Sequence, residues 1–364
     1  MKVLDLVPQC IRSLPNYVPG RLMEDVAEAM GLSRVIKLAS NESCLGPSPK
    51  AMAAIKDALP GLGRYGDADS RRLRLALSEH LGIDPEYILA GNGSSEFLVL
   101  MSHALLGPGL SAVMSRPSFI LYASNAQATG ADVFEVPVTD KFGHDLPAML
   151  AKADSATRLV FLDNPLNPTG AWLTAGEIDD FLAELPETSI LILDEAYTDF
   201  SRQARPDYRK LLAAGRVAVL RTFSKIYGLA GLRAAYLLAD PDLISSLNKI
   251  RQPFNLNLLA QAGAQAALND RDHLTNTLKA TWASLDCLRA ELPALGLPVH
   301  PTEANFIMAG PVSMGAEALE AALLRHGIII RSLSSFGLTG HVRITGGRPA
   351  ENEALIKALR KILA

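Results

Sequence analysis

From residue 88 onward, short apolar runs alternate with longer stretches of helical periodicity. The runs Ile88 to Ala90, Ala112 to Ser115, Val133 to Val136, Leu159 to Leu162, Ile190 to Leu193 and Val217 to Leu220 are nearly continuous Val, Ile, Leu and Ala. A strand with one wet face alternates polar and apolar residues, so unbroken runs predict strands buried on both faces. Their alternation with helices predicts an α/β architecture, a mostly parallel central sheet sandwiched by helices. After Pro253 the pattern changes. Helical stretches over Leu258 to Leu268 and Leu274 to Leu292 precede expected strands at Asn305 to Met308, Ile328 to Arg331 and His341 to Thr345, a smaller α+β unit. The first forty residues are broken by segments such as Pro15-Asn-Tyr-Val-Pro-Gly20 and read as an arm, which usually lies on something else, often a partner subunit. The expected division is 1–37 for the arm and part of the small unit, 38–255 for the large domain and 256–364 for the small C-terminal domain.

Bulk properties narrow this picture without redirecting it. At 364 residues the chain exceeds the size at which a single core stops growing, which fits a large and a small domain. Hydrophobic content of 49%, charged content of 20% and a net charge of -3 describe an ordinary globular chain without the basic excess that nucleic acid binding favours. Cys10, Cys44 and Cys287 show no short spacing and no nearby histidine, so no metal site is expected and a reducing cytoplasm fits. The N-terminus lacks a long apolar core and carries an early acid, unlike a secretion signal, and no apolar run approaches membrane-spanning length.

Four strand ends carry candidate chemistry. Gly91-Asn-Gly-Ser-Ser-Glu96 follows an expected strand and opens an expected helix, so its backbone N–H groups, helix dipole and serine hydroxyls suit a phosphate; a plain turn with a capped helix suits the same residues. Asn164-Pro-Leu-Asn-Pro-Thr-Gly170 makes a rigid turn where open α/β sheets bind ligands, and Asn167 either donates to an oxyanion or satisfies its own turn. Asp194-Glu-Ala-Tyr197 places a carboxylate and a phenol at the next strand end; the acid either holds a heteroaromatic nitrogen protonated or caps a helix. Arg221-Thr-Phe-Ser-Lys-Ile-Tyr-Gly-Leu-Ala-Gly-Leu-Arg233 sets Lys225 between hydroxyls and a glycine turn, where desolvation and the cation Arg233 favour a neutral, carbonyl-attacking amine. A surface lysine after a strand is the plainer reading of that segment alone. Gly61-Leu-Gly-Arg-Tyr-Gly66 also matches the dinucleotide glycine pattern, but it follows a helical stretch and not a strand. An anion cradle, an amide, an acid with a phenol and a flanked lysine together suit pyridoxal phosphate, whose lysine linkage and acid-paired ring nitrogen create an electron sink.

With these residues in view, the chain resembles the fold-type I pyridoxal-phosphate aminotransferases, and within them the histidinol-phosphate aminotransferases, nearly end to end. The marks are Leu38-Ala-Ser-Asn-Glu42, Tyr65, Gly91 to Glu96, Asn164 to Gly170, Asp194 to Tyr197, Arg221 to Arg233, Arg251-Gln-Pro-Phe-Asn255 and Val342-Arg-Ile-Thr345. The resemblance implies that Lys225 binds the cofactor covalently, Asp194 pairs with its ring nitrogen, and Asn167 and Tyr197 bond its ring oxygen. It places Phe119 against the ring and gives the phosphate to Gly93, Ser94, Ser95, Thr222, Ser224 and Arg233, with Tyr65 reaching in from the other subunit of a homodimer. Arg343 would grip the substrate's anionic group, with Arg331 and Asn41 beside it and Tyr17 approaching from the arm. Several positions depart from the family pattern: Asn16 is inserted between Pro15 and Tyr17, Leu166 replaces a commoner asparagine, Ser95 stands where many relatives have an acid, and Gly346-Gly347 follows the substrate strand.

The implied reaction moves an amino group between glutamate and imidazole acetol phosphate, giving histidinol phosphate for histidine biosynthesis, with Lys225 as the acid-base group. An aromatic amino-acid aminotransferase would use the same residues. A lyase resembling the threonine-phosphate decarboxylases would also grip a phosphate, but would release carbon dioxide without a keto-acid product.

Overall fold

In a computed structural model, residues 2–16 and 20–363 are described. Tyr17 lies outside them. A seven-stranded sheet forms from β1 (Ile88–Asn92), β2 (Ser111–Arg116), β3 (Asp132–Pro137), β4 (Thr157–Asp163), β5 (Ile190–Asp194), β6 (Val217–Thr222) and β7 (Ala234–Leu238). The spatial order is β1-β7-β6-β5-β4-β2-β3. Strand β7 runs antiparallel to both neighbours, β1 and β6, while the remaining pairs are parallel. The carboxyl ends of the other six strands therefore share one edge, where ligands of open α/β sheets bind.

The unbroken apolar runs have a geometric cause. Successive side chains leave a strand on opposite faces. Leu191 and Leu193 of β5 enter one core with Val160, Leu162, Val217 and Val219, whereas Ile192 enters another with Leu159, Phe161, Ala218 and Leu220. Every position must then be apolar, and each fully buried aliphatic contributes roughly 1.5–3 kcal/mol. Strand β7, Ala-Ala-Tyr-Leu-Leu, was not among the expected strands. Alanine and leucine favour helix, and only the antiparallel pairing with β1 and β6 makes this segment extended.

The smaller unit is an antiparallel sheet of Arg331–Ser332, Val342–Thr345 and Phe306–Ala309, in that spatial order. Helices Arg271–Glu291, Ala316–Arg325 and Pro349–Leu363 contribute Leu285, Leu288, Leu319, Leu355 and Leu359 to a separate core with Ile307 and Ile344. Ile36–Lys37 pairs in parallel with Ile328–Ile329, and Val35 and Ala39 pack with Leu324 and Ile329. The strand expected over 328–331 is thus two short ones with different partners.

Helix Leu258–Leu268, expected in the small domain, packs elsewhere. Its Ala260, Ala264, Ala267 and Leu268 are buried in the larger core with Leu73 and Leu77 of helix Arg71–Leu81, and Gly263 lies against Ile55 of helix Pro49–Ala58. Alanine and glycine on that face let the helices approach closely. The large core therefore runs through residue 268, past the expected boundary at 255.

Candidate functional site

Along the carboxyl edge, one cleft collects Ser94, Ser95, Phe119, Asn167, Asp194, Tyr197, Thr222, Ser224, Lys225 and Arg233, with Tyr122, Asp163 and Ala196. At one end, helix Ser94–Leu105 starts from Gly93, whose φ of 79° is left-handed. A Cβ on Gly93 would come within 2.6 Å of the Arg233 Nη2, so only glycine lets the guanidinium close over the helix start. Arg233 Nη1 donates to Ser224 Oγ at 3.4 Å, and Ser224 N–H donates to Thr222 Oγ1 at 3.0 Å. Among the described residues, no hydrogen bond engages the Ser94 and Ser95 hydroxyls. Free helix N–H groups, a guanidinium and hydroxyls make this end a receptor for a dianion.

The floor is set by the ends of β4 and β5. Asp194, 5% exposed, accepts from Tyr122 O–H at 2.9 Å and Ala196 N–H at 3.0 Å. Burial pushes its carboxyl above the usual range, opposed by those two donors and by the charge of Lys225. Burial holds the Tyr122 phenol well above its ordinary value, so it stays a donor. Asp163 is buried beside Asp194 as its register partner, and its Oδ2 accepts Asn167 N–H at 2.8 Å. That bond closes the Asn164 to Gly170 turn and fixes where the Asn167 amide stands.

Lys225 Nζ, half-buried, donates to the Ser40 carbonyl at 3.2 Å and lies 5.4 Å from the centre of the Tyr197 ring. Its turn is held down by a close crossing. A Cβ on Gly228 would reach 2.2 Å from the Gly46 backbone, so segment 43–47 covers the lysine loop only because residue 228 is glycine. Asn41 Nδ2 donates to Tyr197 Oη at 3.0 Å, and Thr345 Oγ1 donates to Asn41 Oδ1 at 3.1 Å. This chain of bonds ties the arm-side segment, the phenol and strand Val342–Thr345 together.

Arg343 enters from that same strand. Its Nη1 donates to Asn167 Oδ1 at 2.5 Å and its Nη2 to the Ala39 carbonyl at 2.8 Å, with the Phe306 ring 5.3 Å away. The Asn167 amide oxygen is thereby taken, which leaves its NH2 as donor toward the cleft. Arg331 is the register partner of Arg343 on the next strand and lies 6.0 Å from the Phe336 ring. Tyr65 is not in this cleft: it is 83% exposed and stacks on Phe254 at 4.5 Å. The Gly61 to Gly66 segment follows helix Pro49–Ala58 and lies outside the cleft, as its sequence context implied.

Three contributors escaped sequence reasoning. Tyr122 lies three residues after Phe119, and Asp163 immediately precedes the proline turn, so both were within reach of the motifs. His144 was not: it comes from a loop, and only the fold brings its Nδ1 within 2.6 Å of Ser115 Oγ and its Nε2 within 3.0 Å of the Asp163 carbonyl.

Comparisons with known proteins identify the family. The sequence profile of the family described as "Aminotransferase class I and II" matches residues 33–359. A protein of Pseudomonas fluorescens strain Pf0-1 named "Histidinol-phosphate aminotransferase 2" is 43% identical, with 99% of this chain and 98% of that protein covered. "Histidinol-phosphate aminotransferase 1" of Nitrosococcus oceani is 42% identical over 97% of this chain and 95% of its own. The crystal structure of histidinol-phosphate aminotransferase from Sinorhizobium meliloti in complex with pyridoxal-5'-phosphate superposes with a TM-score of 0.90 at 31% identity, covering 98% of this chain and 96% of that one.

Proposed function

The chain belongs to the class I and II aminotransferases, and within that family we propose that it transfers an amino group between L-glutamate and imidazole acetol phosphate, yielding 2-oxoglutarate and L-histidinol phosphate in histidine biosynthesis. Its architecture is that of the fold-type I, pyridoxal-phosphate-dependent enzymes. The observation that carries the substrate choice is the 43% identity, over nearly the full length of both chains, to a protein named for that activity.

The residues present fit pyridoxal 5'-phosphate. The Gly93 cradle, with uncommitted Ser94 and Ser95 hydroxyls and Arg233 closed over it, suits the phosphate. Asp194 suits the ring nitrogen, Asn167 NH2 and Tyr197 O–H the ring oxygen, Phe119 a ring face, and Lys225 the covalent link. When bound, the cofactor supplies an electron sink for the charge that develops at the substrate carbon. Lys225 Nζ moves the proton from the amino-bearing carbon and returns it on the other side of the exchange. Asp194 stays anionic there, because a positive partner offsets the burial that raises its carboxyl. Arg343 takes glutamate's carboxylate and the phosphate ester in turn, since a guanidinium fork accepts both, and Arg331 adds charge on the paired strand. Bonded to Asn167, Arg343 also links substrate capture to the group on the cofactor oxygen.

The active form proposed is a cytoplasmic homodimer. Tyr65 supports it: an aromatic ring 83% exposed, among exposed Leu59, Leu62 and Phe254, suits delivery to a partner's cleft. Cys10, Cys44 and Cys287 are all unpaired, as a reducing compartment favours. No helix of the described residues is long and apolar enough to cross a membrane. The test supplies glutamate as donor and compares kcat/KM for imidazole acetol phosphate and phenylpyruvate. The phosphate ester is expected to win at least tenfold; equal efficiencies overturn the substrate choice.

A further inference from the structure

We propose that Asp163 is a positioning residue of the cleft, a neutral carboxylic acid that fixes the turn carrying Asn167 and leaves Asp194 as the negative group facing the cofactor's ring nitrogen. The inference rests on the cofactor reading above. Asp163 and Asp194 end adjacent strands as register partners, so two carboxyl groups stand side by side in a buried floor. Two such groups do not both ionise at once without large cost. Asp194 is the better supported anion, with Tyr122 O–H and Ala196 N–H on its oxygens and Lys225 acting on it across the cleft.

Asp163 is 3% exposed, and only its Oδ2 is engaged, by Asn167 N–H. Its Oδ1 has no hydrogen-bond partner among the described residues. A buried carboxylate with a bare oxygen is costly, and protonation removes the charge that makes it so. The neighbouring imidazole does not rescue the charge. His144 Nε2 lies 3.0 Å from the Asp163 carbonyl, which only accepts, so Nε2 carries the hydrogen. Burial holds this imidazole at about 4, so at pH 7 the ring is neutral and Nδ1 accepts Ser115 O–H at 2.6 Å. From Nε2 to Asp163 Oδ1 the distance is 3.8 Å, too long for a second bond.

The titratable and charged groups around Asp163 are thus Asp194 and Tyr122 on the cleft side, His144 on the other, and Arg343 reached through Asn167. Burial and then the Asp194 charge push the Asp163 carboxyl well above the usual range, against the Asn167 N–H, while burial holds His144 at about 4. The sequence marks this acid only by its place just before Asn164.

Two variants test the assignment. Asp163→Asn keeps shape, acceptor and neutrality; Asp163→Ala removes the acceptor. Infrared difference spectra at pH 7, wild type minus Asp163→Asn, should contain the carbonyl stretch of a protonated acid. A carboxylate signature in its place overturns the proposal. Pyridoxal phosphate binding to the cofactor-stripped proteins should be within about twofold of wild type for Asp163→Asn and about tenfold weaker for Asp163→Ala. Equal weakening in both variants, or wild-type affinity in Asp163→Ala, also overturns it. If Asp163→Ala does not fold, the infrared spectrum and the Asp163→Asn affinity decide. A wild-type protein that binds no pyridoxal phosphate defeats the cofactor reading instead, and the infrared result still reports on the acid.

Discussion

Two regions built from the same strand ends handle buried charge in opposite ways. On the cleft side, Asp194 of β5 and Thr222 of β6 face the site, and Asp194 is met by a phenol and a backbone N–H. Their sequence neighbours Glu195 and Arg221 belong to a closed network. Arg221 pairs with Asp199 at 2.7 Å and Glu195 at 3.5 Å and donates to Tyr208 Oη at 2.6 Å, and Tyr208 donates to Glu195. Despite burial, Arg221 and Arg205 pull the Asp199 carboxyl below its ordinary value. Adjacent residues leave a strand on opposite faces, so one dipeptide serves both regions. The closed network holds the two strand ends together; the open one leaves its acid for a ligand.

Breaking the closed network should have the largest effect on stability. Arg221→Met leaves Glu195 without a cation and Asp199 with Arg205 alone, and is expected to cost about 3–5 kcal/mol in urea unfolding. A loss under about 1 kcal/mol would mean that the network is not structural. Asp194→Asn should do the reverse: kcat falls about 10²–10³-fold while unfolding free energy stays within about 1 kcal/mol of wild type. Equal destabilisation by the two substitutions would erase the distinction between the regions. The smallest effect concerns His144. Its folded value of about 4 lies below the ordinary 6.5, so the stability it lends is present above 6.5 and is lost as pH falls toward 4. Linkage gives roughly 2 kcal/mol between pH 7 and pH 5. His144→Gln should remove that part of the pH dependence; an unchanged slope would show that His144 is not held neutral.

The open half of this contrast was legible in the sequence; the closed half was not, because its partners come together only in the fold. Lys225, Asp194, Asn167 and the Gly93 cradle each end an apolar run, and a parallel sheet brings such ends to one edge whatever the details of packing. Strand β7 was missed and helix Leu258–Leu268 was expected in the wrong domain because both depend on distant partners: the extended state of β7 on antiparallel pairing, the placement of the helix on the surfaces of Pro49–Ala58 and Arg71–Leu81. The tie from Arg343 to Asn167 spans 176 positions and leaves no trace in spacing. His144 is the same kind of case, since a loop histidine acquires meaning only when the strands align, whereas Asp163 stood within reach, directly before the proline turn.

The proposed covalent anchor of the cofactor is Lys225, in the open region. Holoenzyme reduced with borohydride, digested and mapped by mass spectrometry should carry one pyridoxyl-phosphate adduct, on the peptide containing Lys225, and Lys225→Ala should carry none. An adduct on another lysine, or one that persists in Lys225→Ala, would contradict it.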